Sequence, residues 1–226
     1  MSASIKDIDL FLHIQRNHMA QDITLYDYPK SSASYRVRIA LNLKAVHYQQ
    51  VYVDLLNKDQ NSTFYLATNP QGLVPSLIVG DQIITQSMAI IEWLEETYPQ
   101  PSLLPSDPIK KAQLRAQAYI IACDTHPLNN LKVLSYLLDD MALGNAEKMA
   151  WYHHWIKLAF SAIELHLGAT EPINQANLLD VLLVPQVFNA HRFNLNMTPY
   201  RHINQRVSWC NQQSAFKQAH PDQDLC

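Results

Sequence analysis

Four prolines fall within eleven residues, at Pro99, Pro101, Pro105 and Pro108, and the residue pattern changes on either side of them. Proline fixes φ and lacks an N–H, so neither a helix nor a central strand runs through such a stretch. The segment 99–107 therefore reads as a linker between a unit at 23–98 and a second at 108–226, preceded by an N-terminal extension, 1–22. At 226 residues, 48% hydrophobic and 16% charged, the chain can fill two modest cores.

Before the linker, element types alternate. Ile23–Tyr26 reads as a short strand, Ser34–Lys44 has a helical period, and Tyr48–Val53 alternates as a β-branched and aromatic strand. A polar stretch, Asn57–Thr63, leads to the turn Asn69–Gly72. Then follow a strand at Ser76–Val79, a Gly80-Asp81 turn, a strand at Gln82–Thr85, and a helix from Ser87 that Pro99 stops. The order β-α-β, then β-β-α, makes the first two strands parallel and the last two an antiparallel hairpin, a thioredoxin-like pattern with a mixed four-stranded sheet. After the linker every periodic segment reads helical. Asn177 with Asp180 three positions on is a capping arrangement that opens a buried helix at Val181–Val184.

Composition removes several functions. Net charge is −3, so no basic surface invites nucleic acid or an anionic membrane. No apolar run approaches the roughly 20 residues of a membrane span. Asp7 and Asp9 interrupt the apolar start, which reads as a short helix or a tail and not as a signal peptide. Four glycines in all leave no Gly-rich phosphate loop, and three unevenly spaced cysteines form no disulfide framework, which suggests a reducing, cytoplasmic setting.

Three places can carry chemistry. In Lys30–Arg36, hydroxyls gather where a strand ends and a helix begins. Ser31 either caps that helix or donates to an anion such as a thiolate held at its positive end. Gln86-Ser87, at another helix start, either caps or receives a carboxylate. Pro75 is either an ordinary trans proline at a strand start or a cis residue that turns the Val74 N–H and C=O outward, toward a peptide-like ligand. Cys123-Asp124-Thr125-His126 is too closely spaced to converge as a triad, and His153-His154 diverge on a helix, so neither a triad nor a metal is expected.

Taken together these pieces resemble one family, the zeta class of glutathione transferases. Ser31–Leu41 is similar to its Ser-Ser-Cys-x-aromatic-Arg-Val-Arg-Ile-Ala-Leu signature. Asn69–Pro75 and Gln86–Glu92 resemble its glutathione site, and Leu183–Phe193 with Pro199-Tyr200 its C-terminal helices. The resemblance implies an all-helical C-terminal half, a homodimer, glutathione as cofactor and cis-Pro75. It assigns Ser31, Ser32, Ala33, Ser34, Tyr35 and Arg36 to glutathione, with Ser31 and Ser32 meeting the sulfur and Arg36 serving either glutathione or the fold. It adds Val74 for the cysteinyl part, Gln86 and Ser87 for the γ-glutamyl end, and Gln60, His126, Asn130 and Leu131 nearby. Ser31, Ser32 and Arg192 are the implied catalytic residues, and Lys30 with Arg192 the clamps on a small maleyl diacid.

The chain departs from that pattern at Ala33, where many members have cysteine, and at Lys30, where arginine is common. Lysine keeps the charge and loses the bidentate fork. The segment Gly168–Asn177 also reads as a shortened surface connection. The implied activity is isomerisation of maleylacetoacetate in tyrosine and phenylalanine breakdown. Alternatives are maleylpyruvate, conjugation or dehalogenation of small α-halo acids, and a non-catalytic binding protein of the same fold.

Overall fold

The computed structural model describes residues 22–168 and 174–222. The reading of 1–19 as a helix or tail, and half of the shortened connection, fall on residues outside that range.

Four strands form one sheet in the order β2-β1-β3-β4: β1 Ile23–Asp27, β2 Gln49–Tyr52, β3 Ser76–Val79 and β4 Gln82–Thr85. β1 and β2 are parallel, while β3 runs antiparallel to both β1 and β4. Leu25 faces Leu77 across the central pair, and both are fully buried. The inward alternation of β1 continues to Asp27, a carboxylate 1% exposed. Nη1 of Arg38 meets both its oxygens, at 2.7 and 2.8 Å, which offsets the cost of burying it, and Gln50 donates to the same carboxylate.

Helix α1, Ser32–Leu43, crosses between β1 and β2 and starts two residues earlier than its apolar period indicates. The cause is local: the Ser31 hydroxyl accepts from the Ser34 N–H and fixes the first turn. The polar connection also holds a short 3₁₀ turn, Asp59–Asn61, and a helix, α2 Thr63–Thr68, capped by Ser62. Six residues rich in aromatic and β-branched side chains carry too little period to reveal a helix. Tyr65 of α2 is buried and reaches the Leu73 carbonyl at 2.6 Å, holding the turn that carries Val74. Within that turn Gly72 has φ +60, and a side chain there would press on the Gln60 carbonyl.

Helix α3, Ser87–Thr97, completes the sheet-bearing half. The proline-rich segment is tightly held. Leu103 is buried, its N–H bonds the Glu95 carboxylate, its carbonyl receives the Leu178 N–H, and the buried Lys44 ammonium ties Glu95 to the Pro101 carbonyl. All remaining described elements are helical. α4 Pro108–Tyr119 runs on through a π turn, Ile120–Thr125, and is followed by α5 Leu131–Asp139, α6 Asn145–Gly168, α7 Leu178–Arg192, α8 Arg201–Cys210 and α9 Ser214–Ala219.

At the centre of this layer lies α7, buried on all sides from Leu178 to Val187. Asn177 and Asp180 form the full reciprocal capping box, and the Asp180 carboxylate also takes the Arg206 guanidinium at 2.5 and 2.6 Å. Against α1 the same helix sets Phe188 edge-on to Tyr35. Packing α7 on α1 brings the C-terminal end of the former beside the N-terminal end of the latter. Among the described residues no helix is long and apolar enough to cross a membrane.

Candidate active site

Two adjoining cavities open along the seam between the sheet-bearing half and the helical layer, with volumes of about 210 and about 250 Å³. Ala33, Leu73, Val74, His126 and Asn130 line both, so they form one continuous cleft.

The first cavity lies over the N-terminal end of α1. Ser31, Ser32 and Ala33 border it, with Lys30 just before them and Arg192 beside Lys30. Capping and anion contact turn out to be compatible for Ser31. A hydroxyl has one donor and two acceptor positions, so Ser31 accepts from the Ser34 N–H and still has its O–H to offer to the cavity. The unpaired N–H groups of the first turn add the positive end of the helix. Ser32 shares a hydrogen bond of 3.0 Å with Nδ1 of His126, which the π turn delivers to this spot. Burial lowers the His126 pKa to about 3, the Arg36 charge adding to the effect, so the imidazole is neutral at physiological pH.

Arg192 ends α7 at the cavity mouth. Its guanidinium donates to the Lys30 carbonyl at 3.3 Å and to Asn189 Oδ1 at 3.1 Å, and lies over the rings of Phe188 and Phe193. No carboxylate among the described residues pairs with it, so this oriented cation is available to an anion entering the cleft. Gln60 and Leu131 also border this cavity.

The second cavity collects Arg36, Val74, Gln86 and Ser87. Gln86 has φ +70, an uncommon setting for a non-glycine residue, and its side-chain amide donates to Gln71 Oε1 at 2.7 Å. The Val74–Pro75 peptide is cis, and the Val74 N–H and C=O have no partner among the described residues. Arg36 is 1% exposed. Burial lowers its pKa to about 10, so it stays charged at neutral pH; Nη1 reaches Ser87 Oγ at 3.4 Å, while Nε and Nη2 have no partner. A buried guanidinium short of partners favours an anion beside it.

Two of the residues assigned to the cleft lie elsewhere. Tyr35 points into the core between Phe188 and His220, and Ser34 is fully buried within α1, so neither borders either cavity. They occupy the inward face of the helix whose first residues face the cleft. Sequence reading also missed Tyr28, Asn129, Lys132, Tyr152 and Gln186, all of which line the first cavity. One signal was visible for Gln186: it is a lone amide in the run Leu182–Val187. Of the Trp151–Trp155 cluster, Tyr152 faces the cavity, whereas His153 is spent on the Phe193 carbonyl.

Comparison with known proteins gives the family of this fold. Residues 25–102 fit the model of the glutathione S-transferase N-terminal domain. The chain is 42% identical over 212 residues to a probable maleylacetoacetate isomerase of Vibrio cholerae, covering 90% of this chain and 99% of that one. It superposes with a TM-score of 0.87, at 41% identity, on the holo structure of a maleylpyruvate isomerase described as a bacterial glutathione S-transferase of the zeta class. That match covers 89% of this chain and 99% of the other. The chain belongs to the zeta-class glutathione transferase family. A further solved structure, a maleylacetoacetate isomerase of Methylobacterium extorquens AM1 with bound malonate and glutathione, superposes with a TM-score of 0.84 at 32% identity over 88% and 96% of the two chains. Within the zeta-class frame, Ala33 leaves the first turn of α1 with hydroxyls and no thiol, and Lys30 puts a flexible ammonium on the cavity wall.

Proposed function

We propose that this chain is a glutathione-dependent cis–trans isomerase of maleyl keto acids, with maleylacetoacetate as first substrate and maleylpyruvate as second. One observation carries the reading: the hydroxyl-rich positive end of α1 and the oriented cation of Arg192 border a single cavity. The first suits a thiolate, the second a carboxylate a few ångströms away.

The residues of the cleft fit glutathione. The unpaired Val74 N–H and C=O offer a strand-like edge to its cysteinyl part, and Gln86, Ser87 and the under-partnered Arg36 suit its γ-glutamyl end. When bound, glutathione supplies a thiolate that adds to the substrate double bond and departs again, unconsumed. Ser31 donates to the sulfur and favours its ionised form. Ser32, oriented by neutral His126, is the second hydroxyl at the same point. Arg192 holds one substrate carboxylate and Lys30 the other, so the double bond lies between the sulfur and the clamps.

On this reading residues 23–98 form the glutathione-binding unit and 108–226 the substrate-binding unit, joined by 99–107. The protein acts in the cytoplasm as a homodimer, in tyrosine and phenylalanine breakdown, on a small molecule and on neither nucleic acid nor membrane. Purified protein mixed with maleylacetone should convert it to the trans isomer rapidly with glutathione and not without it. Retention on glutathione resin without conversion would replace isomerisation by conjugation or dehalogenation, and failure of both would leave a non-catalytic binding protein.

A further inference from the structure

The first cavity is charged at its mouth and neutral along its inner wall. Lys30 and Arg192, both exposed, make the mouth. Deeper in, Gln186 is 1% exposed, and neither its Oε1 nor its Nε2 has a hydrogen-bond partner among the described residues. Asn129 Oδ1 is buried without a partner as well, while its amide nitrogen donates to the Tyr152 carbonyl at 3.2 Å. The Tyr152 hydroxyl has no partner among the described residues, and its ring packs on Phe193 with centroids 4.2 Å apart. All of these residues line the same cavity. Leaving a buried polar group unpaired costs about 1–3 kcal/mol, so a wall with several such groups is suited to what the cavity takes in.

None of these groups carries charge at neutral pH. Amides do not ionise there, and burial pushes the Tyr152 phenol up, the Arg192 charge pulling it only part of the way back. Gln186, Asn189 and Phe193 share one face of α7, and Arg192 follows Gln186 by six residues, an axial rise of about 9 Å. The Gln186 and Asn129 oxygens only accept, whereas Gln186 Nε2 and the Tyr152 hydroxyl can donate, so the cavity suits a molecule with a carboxylate at one end and an uncharged carbonyl further in.

We propose that the Gln186 amide, backed by the Tyr152 hydroxyl, hydrogen-bonds the carbonyl oxygen conjugated to the substrate double bond and stabilises the charge that gathers on it. This inference rests on the isomerase reading above. As a carbon–sulfur bond forms at the alkene, the π pair shifts onto that oxygen. The central bond, now single, turns, and the pair returns as the carbon–sulfur bond breaks. No atom or electron is gained or lost overall. Donors already fixed by the protein stabilise the transient charge without having to reorient, as water must.

The test uses Gln186→Met, which keeps the bulk and removes the amide, and Tyr152→Phe, which removes one oxygen. For both variants and the unaltered chain, kcat with maleylacetone at saturating glutathione is expressed per glutathione site titrated by calorimetry, so misfolded molecules drop out. A second readout is the calorimetric Kd of succinylacetone, a saturated diketo acid that cannot isomerise. Gln186→Met should lower kcat about 100-fold and Tyr152→Phe about 10-fold, with glutathione affinity unchanged. Succinylacetone should bind each variant about 10-fold more weakly. If both keep kcat and succinylacetone affinity within about twofold of the unaltered chain, the proposal is overturned while the isomerase reading stands. Should Gln186→Met bind no glutathione, Tyr152→Phe alone decides by the same criteria. An unaltered chain that binds glutathione and isomerises nothing overturns both.

Discussion

Ser32 Oγ and His126 Nδ1 lie 3.0 Å apart although 94 residues separate them in the chain. This bond joins the first turn of α1 to the end of the π turn, and the tautomer of a neutral imidazole decides what Ser32 can do. With the proton on Nδ1, His126 donates and the Ser32 O–H is free for the sulfur. With it on Nε2, the hydroxyl is used up. In the glutathione complex the proton should sit on Nδ1, which long-range proton–nitrogen NMR of the imidazole reads directly.

The same histidine makes a prediction about acid stability. Its pKa falls from 6.5 to about 3 on folding, through burial first and the Arg36 charge second. Between those values the unfolded chain holds a proton that the folded chain refuses, so stability rises with pH across that window. The contribution is complete above pH 6.5 and is lost as pH falls toward 3. His126→Asn should flatten this part of the urea-midpoint profile by up to one proton's worth of slope; an unchanged slope would contradict the assignment.

Arg192→Ala should raise KM for maleylacetone and lower kcat/KM by about 10- to 100-fold, the range for a lost hydrogen bond to a charged group. Glutathione affinity should hold, because Arg192 faces the substrate side of the cleft. Steady-state kinetics alongside calorimetry separates the two, and unchanged kinetics would remove Arg192 from the site.

Ser31 has two duties that substitution can part. Ser31→Ala should cost about 1 kcal/mol of stability through the lost cap and also lower activity. Ser31→Asn keeps an acceptor for the Ser34 N–H and should restore the melting temperature. It brings no hydroxyl to the sulfur, so the thiolate absorbance of bound glutathione at neutral pH should stay diminished.

Asp180→Ala should be the most damaging single change away from the cleft. It removes the reciprocal cap of α7 and strands Arg206, whose side chain is 9% exposed, at a cost on the order of 3–5 kcal/mol. Replacing the pair together, Asp180→Leu with Arg206→Met, should recover part of that loss in urea unfolding, though not the cap.

Much of this architecture was legible in the chain. The four strands, the parallel and antiparallel pairings and the helical remainder all follow from period and turn chemistry. Where the reading slipped, the deciding contact was local and short, or distant. α2 has six residues and no apolar stripe, and a serine cap moved the start of α1 forward. Tyr35 and Ser34 sit inside the motif that names the cleft, yet a helix turns about 100° per residue, so neighbours of Ser32 and Ala33 face the core. Gln186 and Tyr152 were hidden for the opposite reason. Nothing adjacent in sequence marks Tyr152, Gln186 shows only as a lone amide in an apolar run, and the part proposed for them depends on which partners α1, α6 and α7 leave them without.

Arg38 carries one more consequence. The guanidinium that pairs with Asp27 also donates to the Pro29 carbonyl at 2.8 Å, next to the loop bearing Lys30 and Ser31, and to the Ala219 carbonyl at 3.0 Å, 181 residues further on. A ribosome makes the third partner long after the first two. Until Ala219 emerges the front of the cleft therefore lacks one of its anchors, and that anchor arrives only as α9 docks.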